Sequence, residues 1–256
     1  MLRVTITVLF ALVATKVTAE DLRIGLSDPA VSIESNFVGT QVAVFGSIEN
    51  PEPLAIERDA YDIVVVMQGP PTQVRVRRKE RRFGIWVNGA GQVFDNVPSF
   101  YTIASTGPLR EVATEESLES LSLGFDKLDV SPLIDADTPR SEEELASFRA
   151  SLNRLQVADD LFVEEIGGVE FLSDTLFRAR LRVPANVPIG HHRARAFLFR
   201  DGEFLITRSV LLEVAKSGFE QQTYNLAQRN GLLYGIMAVF IAMATGWLAS
   251  VVFRKD

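Results

Sequence analysis

Residues 231–253 form a run of 23 residues without a single charged side chain. At about 1.5 Å per residue, a helix of this length reaches roughly 34 Å, which exceeds the hydrocarbon core of a bilayer, about 30 Å thick. Tyr234 and Trp247 lie toward its two ends, where aromatic side chains favour the membrane interface. We therefore predict a transmembrane helix at 231–253, because a helix of a globular protein rarely runs this far without a polar face.

The amino-terminal residues 1–19 have the pattern of a signal peptide. Arg3 provides the positive charge, residues 4–15 are mostly apolar, and Val17-Thr18-Ala19 fits the small-x-small cleavage pattern. The apolar run is too short to span a bilayer, although an uncleaved amino-terminal anchor is the alternative interpretation. We expect cleavage after Ala19.

The two ends together predict the topology. Arg254 and Lys255 follow the predicted span directly, and basic residues beside a membrane helix favour the cytoplasmic side. We therefore expect a single-pass protein of the inner membrane, with its body in the periplasm and the tail 254–256 in the cytoplasm. The lipid bilayer is its first predicted partner.

Residues 20–222 predict a mainly β body with a helical insertion. Short apolar or alternating runs predict strands up to about residue 105 and again from residue 168, and 63–66 reads as a strand buried on both faces. Between them, at about 107–165, we predict an acidic helical insert. The pattern favours an immunoglobulin-like β-sandwich, and two small sandwiches are the alternative.

Several local patterns sharpen this prediction. Asp201-Gly202 predicts a tight hairpin, and residues 88–91 predict another between strands at 84–87 and 93–94. Ser141 and Glu144 form a capping box before a helix whose apolar face is Leu145, Phe148, Leu152 and Leu155. We expect Trp86 to be a core residue.

The composition excludes several kinds of chemistry. With no Cys the chain has no disulfide or thiolate zinc site, and its formal net charge of −7 disfavours nucleic-acid binding. No catalytic, phosphate-binding or dinucleotide motif is present. His191 and His192 are adjacent, so on a strand they point to opposite faces, and His192 is expected to have a structural role at a corner. We predict no catalytic residues, no metal, no cofactor and no enzymatic activity.

Charge is distributed unevenly along the chain. Removal of residues 1–19 leaves 24 basic and 33 acidic side chains, and residues 111–147 alone have a net charge of −9. The strands have a complementary set of arginines, spaced two residues apart within each group: Arg75, Arg77, Arg178, Arg180, Arg182, Arg193 and Arg195. Three interpretations are open: a solvated sheet face, a surface covered by the acidic insert, or a site for an anion or an acidic partner.

The predicted membrane helix has a stripe of small residues at steps of mostly four: Gly231, Gly235, Ala238, Ala242, Gly246 and Ser250. Small residues allow close approach of helix backbones in lipid. The stripe predicts a docking face for a second copy or for another membrane helix, or it reflects the ordinary richness of membrane helices in small residues.

Several sequence runs resemble a family of alphaproteobacterial single-pass transmembrane proteins of unknown function. They are residues 32–40, 44–46, 61–66, 77–81, 84–88, 98–101, 177–179, 184–190, 198–202, 246–249 and 253–254. Members of this family are often encoded beside a permease of the sulfite-exporter type, so the resemblance implies an accessory role in the membrane. It implies no catalytic residues.

Three hypotheses for the function follow. The first is a membrane-anchored periplasmic accessory or interaction protein, with a polytopic permease of the sulfite-exporter type as a candidate partner. The second is a periplasmic binding module for an anionic ligand that uses the arginines, and the third is a hydrolytic enzyme, which the absence of a catalytic motif disfavours.

Overall fold

The computed structural model describes residues 20–34, 37–133, 140–216, 228 and 231–252 of the chain. The predicted signal peptide, Phe253 at the end of the predicted span and the predicted tail 254–256 lie outside the described residues. Within the described parts the protein is mainly β, as the sequence predicts.

The strands, in chain order, are β1 (Asp21–Leu26), β2 (Ala30–Ile33), β3 (Thr40–Glu49), β4 (Tyr61–Gln68), β5 (Pro71–Arg82), β6 (Ile85–Pro98), β7 (Tyr101–Ser105), β8 (Ser131–Pro132), β9 (Phe162–Ile166), β10 (Val169–Phe171), β11 (Leu176–Val183), β12 (Gly190–Arg200) and β13 (Glu203–Lys216). The helices are α1 (Pro53–Glu57), α2 (Leu109–Val112), α3 (Glu115–Ser120), α4 (Glu142–Ala158) and α5 (Gly231–Val252), with a 3₁₀ helix at Phe125–Lys127.

Two sheets share the main hydrophobic core. The first sheet has the order β1-β3-β11-β10 and is antiparallel throughout. The second has the order β2-β13-β12-β4-β7-β9, and its two outermost pairs are parallel. Alternate residues of β3 and β11, such as Val44 and Leu181, pack in this core with Val65 and Ala196 of the second sheet.

A second core lies on the other face of the second sheet. There a third sheet, β5-β6-β8, and the helical insert pack against β4 and β12. The buried residues of this core include Val64, Val66, Val76, Phe94, Val97, Leu118, Leu123, Phe148, Leu152, Phe197 and Phe199. The sequence does not predict the third sheet, because that sheet depends on the pairing of β5 with β6.

Strand β4 is buried on both faces, as its sequence predicts. Ile63, Val65 and Met67 face the main core, whereas Val64 and Val66 face the second core. Because successive side chains of a strand point to opposite faces, an uninterrupted apolar run requires a packed layer on each side.

The hairpin between β5 and β6 corrects one prediction. Its turn is at Phe83-Gly84, whereas the predicted turn at 88–91 lies inside β6. The register shifts between Arg77 and Lys79, and the small residues of 88–91 accommodate this irregularity. The hairpin at Asp201-Gly202 is where the sequence predicts it, with both residues at positive φ.

Helix α4 begins as predicted but is rotated slightly from its predicted orientation. The Ser141 hydroxyl accepts a hydrogen bond from the backbone N–H of Glu144 at 3.3 Å. Phe148, Leu152 and Gln156 are buried, whereas Leu155 is half exposed. The prediction that Leu155 belongs to the buried face was therefore wrong. The steps of four residues show that Gln156 lies in line with the packed face.

The carboxyl-terminal helix α5 is 22 residues long, from Gly231 to Val252. Among the residues that the structure describes, no helix meets the requirements of length and hydropathy for crossing a membrane.

Gly46 of β3 provides a test of the main core. Phe177 is its direct partner on β11, and a Cβ at position 46 would collide with the Phe177 ring and lie 2.7 Å from the Arg23 carbonyl oxygen. We expect Gly46→Ala to lower the free energy of unfolding by about 1–3 kcal/mol, as overpacking does.

The matched control is Gly25→Ala in the neighbouring strand β1, where a Cβ would have no atom of the described residues within 4 Å. Urea unfolding of the detergent-purified full chain, followed by circular dichroism, compares the two variants. Equal midpoints for both variants would contradict this account of the Phe177 packing.

Candidate functional site

The seven arginines of the predicted anionic site lie in three different sheets. Arg178, Arg180 and Arg182 are on β11 of the first sheet, Arg193 and Arg195 on β12 of the second, and Arg75 and Arg77 on β5 of the third. The structure therefore does not bring them together on one face. Each group has different neighbours.

The arginines of β11 lie close to acidic side chains of β10 in the same sheet and of β9 in the second sheet. Arg178 and Arg180 both form ion pairs with Glu170 of β10, and Arg182 Nε lies 4.0 Å from a carboxylate oxygen of Glu165. The hydrogen bond from Arg178 lowers the pKa of the Glu170 carboxyl below its usual value. This group is thus largely compensated within the body.

The arginines of β12 line a cavity of about 580 Å³ at one end of the second sheet. Its polar lining includes Gln68, Asn96, Asp129, His191, Arg193 and Arg195. Arg193 is exposed and Arg195 is half buried. The cavity therefore combines two cations with one carboxylate, and it is open to solutes.

Arg195 is the most constrained cation of this cavity. Its Nη2 donates a hydrogen bond of 3.0 Å to Gln68 Oε1, and its guanidinium carbon lies 5.2 Å from the centre of the Phe197 ring. Its Nε is buried and has no hydrogen-bond partner among the described residues. Burial lowers the pKa of Arg195. A buried donor without a partner is costly.

Arg75 and Arg77 belong to the long hairpin β5–β6, which we call the basic hairpin. It also has Arg78, Lys79, Arg81 and Arg82, with a single acidic residue, Glu80, in the same strand. Arg78 packs back against helix α4, with its guanidinium carbon 5.4 Å from the centre of the Phe148 ring. Arg75, Arg77, Lys79 and Arg81 are exposed and form no ion pair within the described parts of the chain.

The tip of the basic hairpin exposes three large apolar side chains. The exposed fractions are 105% for Phe83, 65% for Ile85 and 69% for Trp86. Trp86 is therefore not the core residue that we predicted, because the turn at Phe83-Gly84 places it beyond both hydrophobic cores. The sequence offers one sign of this arrangement, an aromatic residue followed by glycine directly after six basic residues in eight.

The acidic insert borders the cavity of Arg193 and Arg195 through Asp129, but its other acidic side chains pair elsewhere or are exposed in the described structure. Glu115 and Glu119 both pair with Lys127 inside the insert, and Glu142, Glu143 and Glu144 are exposed at the start of α4. Within the described residues of the insert predicted at 107–165, only Glu165 at its end, on β9, forms an ion pair with one of the seven arginines, Arg182. In the described residues, the helices of the insert therefore do not pair their acidic side chains with the seven arginines.

All six small residues of the predicted stripe lie on α5. Gly231 and Gly235 border a shallow groove together with Leu232, Ile236, Val239 and Phe240. A Cβ added at Gly231, Gly235 or Gly246 would have no described atom within 4 Å. These positions are therefore open to a neighbouring helix.

His192 is a buried residue of β12, and its neighbour His191 is exposed. His192 Nδ1 lies 3.2 Å from the Gly190 carbonyl oxygen, and its ring centre lies 5.8 Å from that of Phe100. Its Nε2 and the Ser99 Oγ are buried without hydrogen-bond partners among the described residues. In the same residues, no group of three or more acidic or histidine side chains could hold a metal ion.

The described chain thus consists of a β-rich body followed by a long apolar helix. The chain belongs to the family whose model is described as "Putative transmembrane protein (Alph_Pro_TM)", which matches residues 21–255. No curated protein matches the chain. The match confirms the family resemblance that the sequence runs predict.

The burial of His192 predicts a specific dependence of stability on pH. Desolvation lowers the pKa of His192 below 6.5, the usual value for a histidine in an unfolded chain. Below about pH 6.5 the unfolded state therefore binds more protons than the folded state, which lowers the free energy of unfolding. We expect the free energy of unfolding to fall between pH 7.5 and pH 5.5, and His192→Gln to reduce that slope.

His191→Gln is the matched control, because the exposed side chain of His191 is in water in both states. Urea midpoints at the two pH values measure the slopes. If the wild-type chain and His192→Gln have the same slope, the buried imidazole is not responsible for the pH dependence.

Proposed function

We propose that the chain is a membrane-anchored accessory protein of the inner membrane, with its β-rich body in the periplasm and helix α5 as its span. Helix α5 would dock on a polytopic membrane partner through its small-residue stripe, and a permease of the sulfite-exporter type is our candidate. The observation that supports this proposal best is α5 itself, an uncharged helix of 22 residues with one open glycine-bearing face.

Three facts support α5 as a membrane anchor. At about 1.5 Å per residue its length is roughly 33 Å. The uncharged run extends over residues 231–253, and the family description names a transmembrane protein. The finding that no described helix qualifies as a span points the other way. The uncharged run supports a membrane span, because a charged side chain within it would cost several kcal/mol in a bilayer and none is present.

The proposed orientation is supported by charge at the two ends of the chain. Arg254 and Lys255 favour the cytoplasmic side, and the signal-peptide pattern of residues 1–19 favours export of the body. An accessory protein with this topology would present its body to the periplasmic side of its partner.

We also propose that the body is an immunoglobulin-type sandwich. The strand orders β1-β3-β11-β10 and β13-β12-β4 correspond to the orders A-B-E-D and G-F-C of that fold. The third sheet and the helical insert would then be additions to this framework. Surface loops and inserted elements are the usual location of binding functions on such sandwiches.

A co-purification experiment tests the docking face of α5. We expect the tagged full chain, extracted in mild detergent, to co-purify with a polytopic membrane protein or with a second copy of itself. Gly235→Leu combined with Gly246→Leu should reduce the recovery at least tenfold, because bulky side chains prevent close backbone approach.

Ala244→Leu combined with Met237→Leu is the matched control on the opposite side of α5 and should leave recovery unchanged. If no membrane protein and no second copy co-purifies with the wild-type chain, the docking proposal is wrong. A partner retained equally by both double variants would contradict the role of the stripe.

The cavity beside Arg195 favours a second candidate function, the binding of a small anion in the periplasm. The guanidinium groups of Arg193 and Arg195 in its lining support it, whereas Asp129 in the same lining opposes it. A guanidinium with a free donor suits carboxylate, phosphate and sulfur oxyanions.

A thermal-shift screen with sulfite, sulfate, phosphate and organic acids tests this second candidate. An anion at a hundredfold excess over its Kd should stabilise the body by about 2.7 kcal/mol. Arg195→Gln should abolish the shift, whereas Arg180→Gln, which changes an arginine paired with Glu170, should preserve it. The absence of any shift, or equal loss in both variants, would exclude the cavity as the binding site.

A further inference from the structure

The tip of the basic hairpin combines positive charge with exposed aromatic and aliphatic surface. Between Arg75 and Val87 there are six basic side chains and one acidic side chain, a net charge of +5. Phe83, Ile85 and Trp86 lie at the end of this region and are exposed to solvent. Soluble proteins rarely expose several large apolar residues together without a binding function.

The turn itself indicates that an aromatic residue at its apex is not required by folding. Phe83 and Gly84 have φ angles of +52° and +81°, nearly the same as Asp201 and Gly202, at +50° and +83°. Asp-Gly suits two positive φ angles, whereas a bulky side chain such as Phe adopts them at a cost. Phe83 makes no compensating contact in the described structure, because its side chain is fully exposed.

The basic hairpin starts at the same end of the second sheet as the chain that leads to α5. Gln68 at the end of β4 is paired with Arg193, which is paired with Leu211 near the end of β13. The basic hairpin begins at Pro71, directly after β4. Only residues 217–230 separate the end of β13 from α5 in the sequence. At about 3.3 Å per residue, the 12 residues of β5 extend roughly 40 Å from that end.

We propose that the tip of the basic hairpin is a second membrane contact, which inserts Phe83, Ile85 and Trp86 into the headgroup layer of a bilayer that contains anionic lipid. The proposal rests on the membrane anchoring proposed above, which keeps a bilayer within reach of the body. Trp and Phe favour the interface between water and hydrocarbon, and basic residues are attracted to anionic headgroups.

A lipid surface fits the tip better than a folded partner would. The three apolar residues lie on both faces of a two-stranded ribbon, since Arg81 pairs with Trp86 and Arg82 with Ile85. A protein surface would cover one face of such a ribbon, whereas a bilayer surrounds an inserted tip on all sides. The basic side chains along both strands would then lie at the level of the headgroups.

The chain contains two tryptophans, Trp86 and Trp247, which allows a direct measurement. In the Trp247→Phe background, Trp86 is the sole tryptophan of the full chain. This protein is reconstituted into vesicles of phosphatidylcholine alone or with phosphatidylglycerol, each also prepared with brominated acyl chains. Resistance to extraction with alkaline carbonate reports anchoring separately from Trp86 quenching.

We expect a blue-shifted Trp86 emission and quenching by brominated lipid in the vesicles that contain phosphatidylglycerol, with both effects reduced by salt. Lys79→Gln combined with Arg81→Gln should lower the ratio of inserted to free tip roughly 30-fold, since each basic residue contributes about fivefold. Arg110→Gln combined with Arg154→Gln removes two exposed charges elsewhere and should have no effect.

Phe83→Asn separates membrane contact from folding, because Asn-Gly is a favoured pair for this turn. The variant should unfold at the same or a higher urea concentration and yet show weaker quenching of Trp86. Unquenched Trp86 in phosphatidylglycerol vesicles would overturn the proposal, whether the chain resists carbonate or is extracted by it. Quenching that is equal in both lipids, or unchanged by Phe83→Asn, would overturn it as well.

Discussion

The burial of β4 on both faces is the constraint on which the rest of the body depends. Its apolar run sends Ile63, Val65 and Met67 into one core and Val64 and Val66 into another. Each face needs its own cover, because exposed valine and isoleucine side chains would forfeit about 1.5–3 kcal/mol each. The first sheet covers one face, and the third sheet with the helical insert covers the other.

This three-layer packing explains why the arginines have different environments. Those of β11 lie on the outer side of the first sheet, where Glu170 and Glu165 are close. Those of β12 lie on the side of the second sheet that the insert covers only in part, so Arg195 is half buried beside a cavity. Those of β5 lie on a hairpin whose tip extends past the layers. The arginines of β11 thus form ion pairs within the body, those of β12 line a candidate anion site, and those of β5 belong to a candidate membrane contact.

Much of the local structure could be predicted because it depends on neighbours in the sequence. Ser141 caps α4 through Glu144, Asp201-Gly202 forms a hairpin, and the run at 63–66 is a strand buried on both faces. The prediction of a turn at 88–91 was wrong, because the small residues of this segment fit a bulge within β6 as well as they fit a turn. The prediction that Trp86 is a core residue was wrong as well. The true turn at Phe83-Gly84 places Trp86 beyond the two cores.

The alternation of a strand-rich region, a helical insert and a second strand-rich region, the family and the long uncharged run near the carboxyl terminus can all be inferred from the amino-acid sequence, because caps, periodicity and the absence of charge are local properties. Which charges of the described residues are compensated depends on how distant strands pair and pack. Arg195 meets Gln68 across 127 residues, and Arg178 meets Glu170 only because β10 and β11 pair in a particular register. Such contacts depend on strand pairing, which follows from the packing of the whole body and not from any single segment.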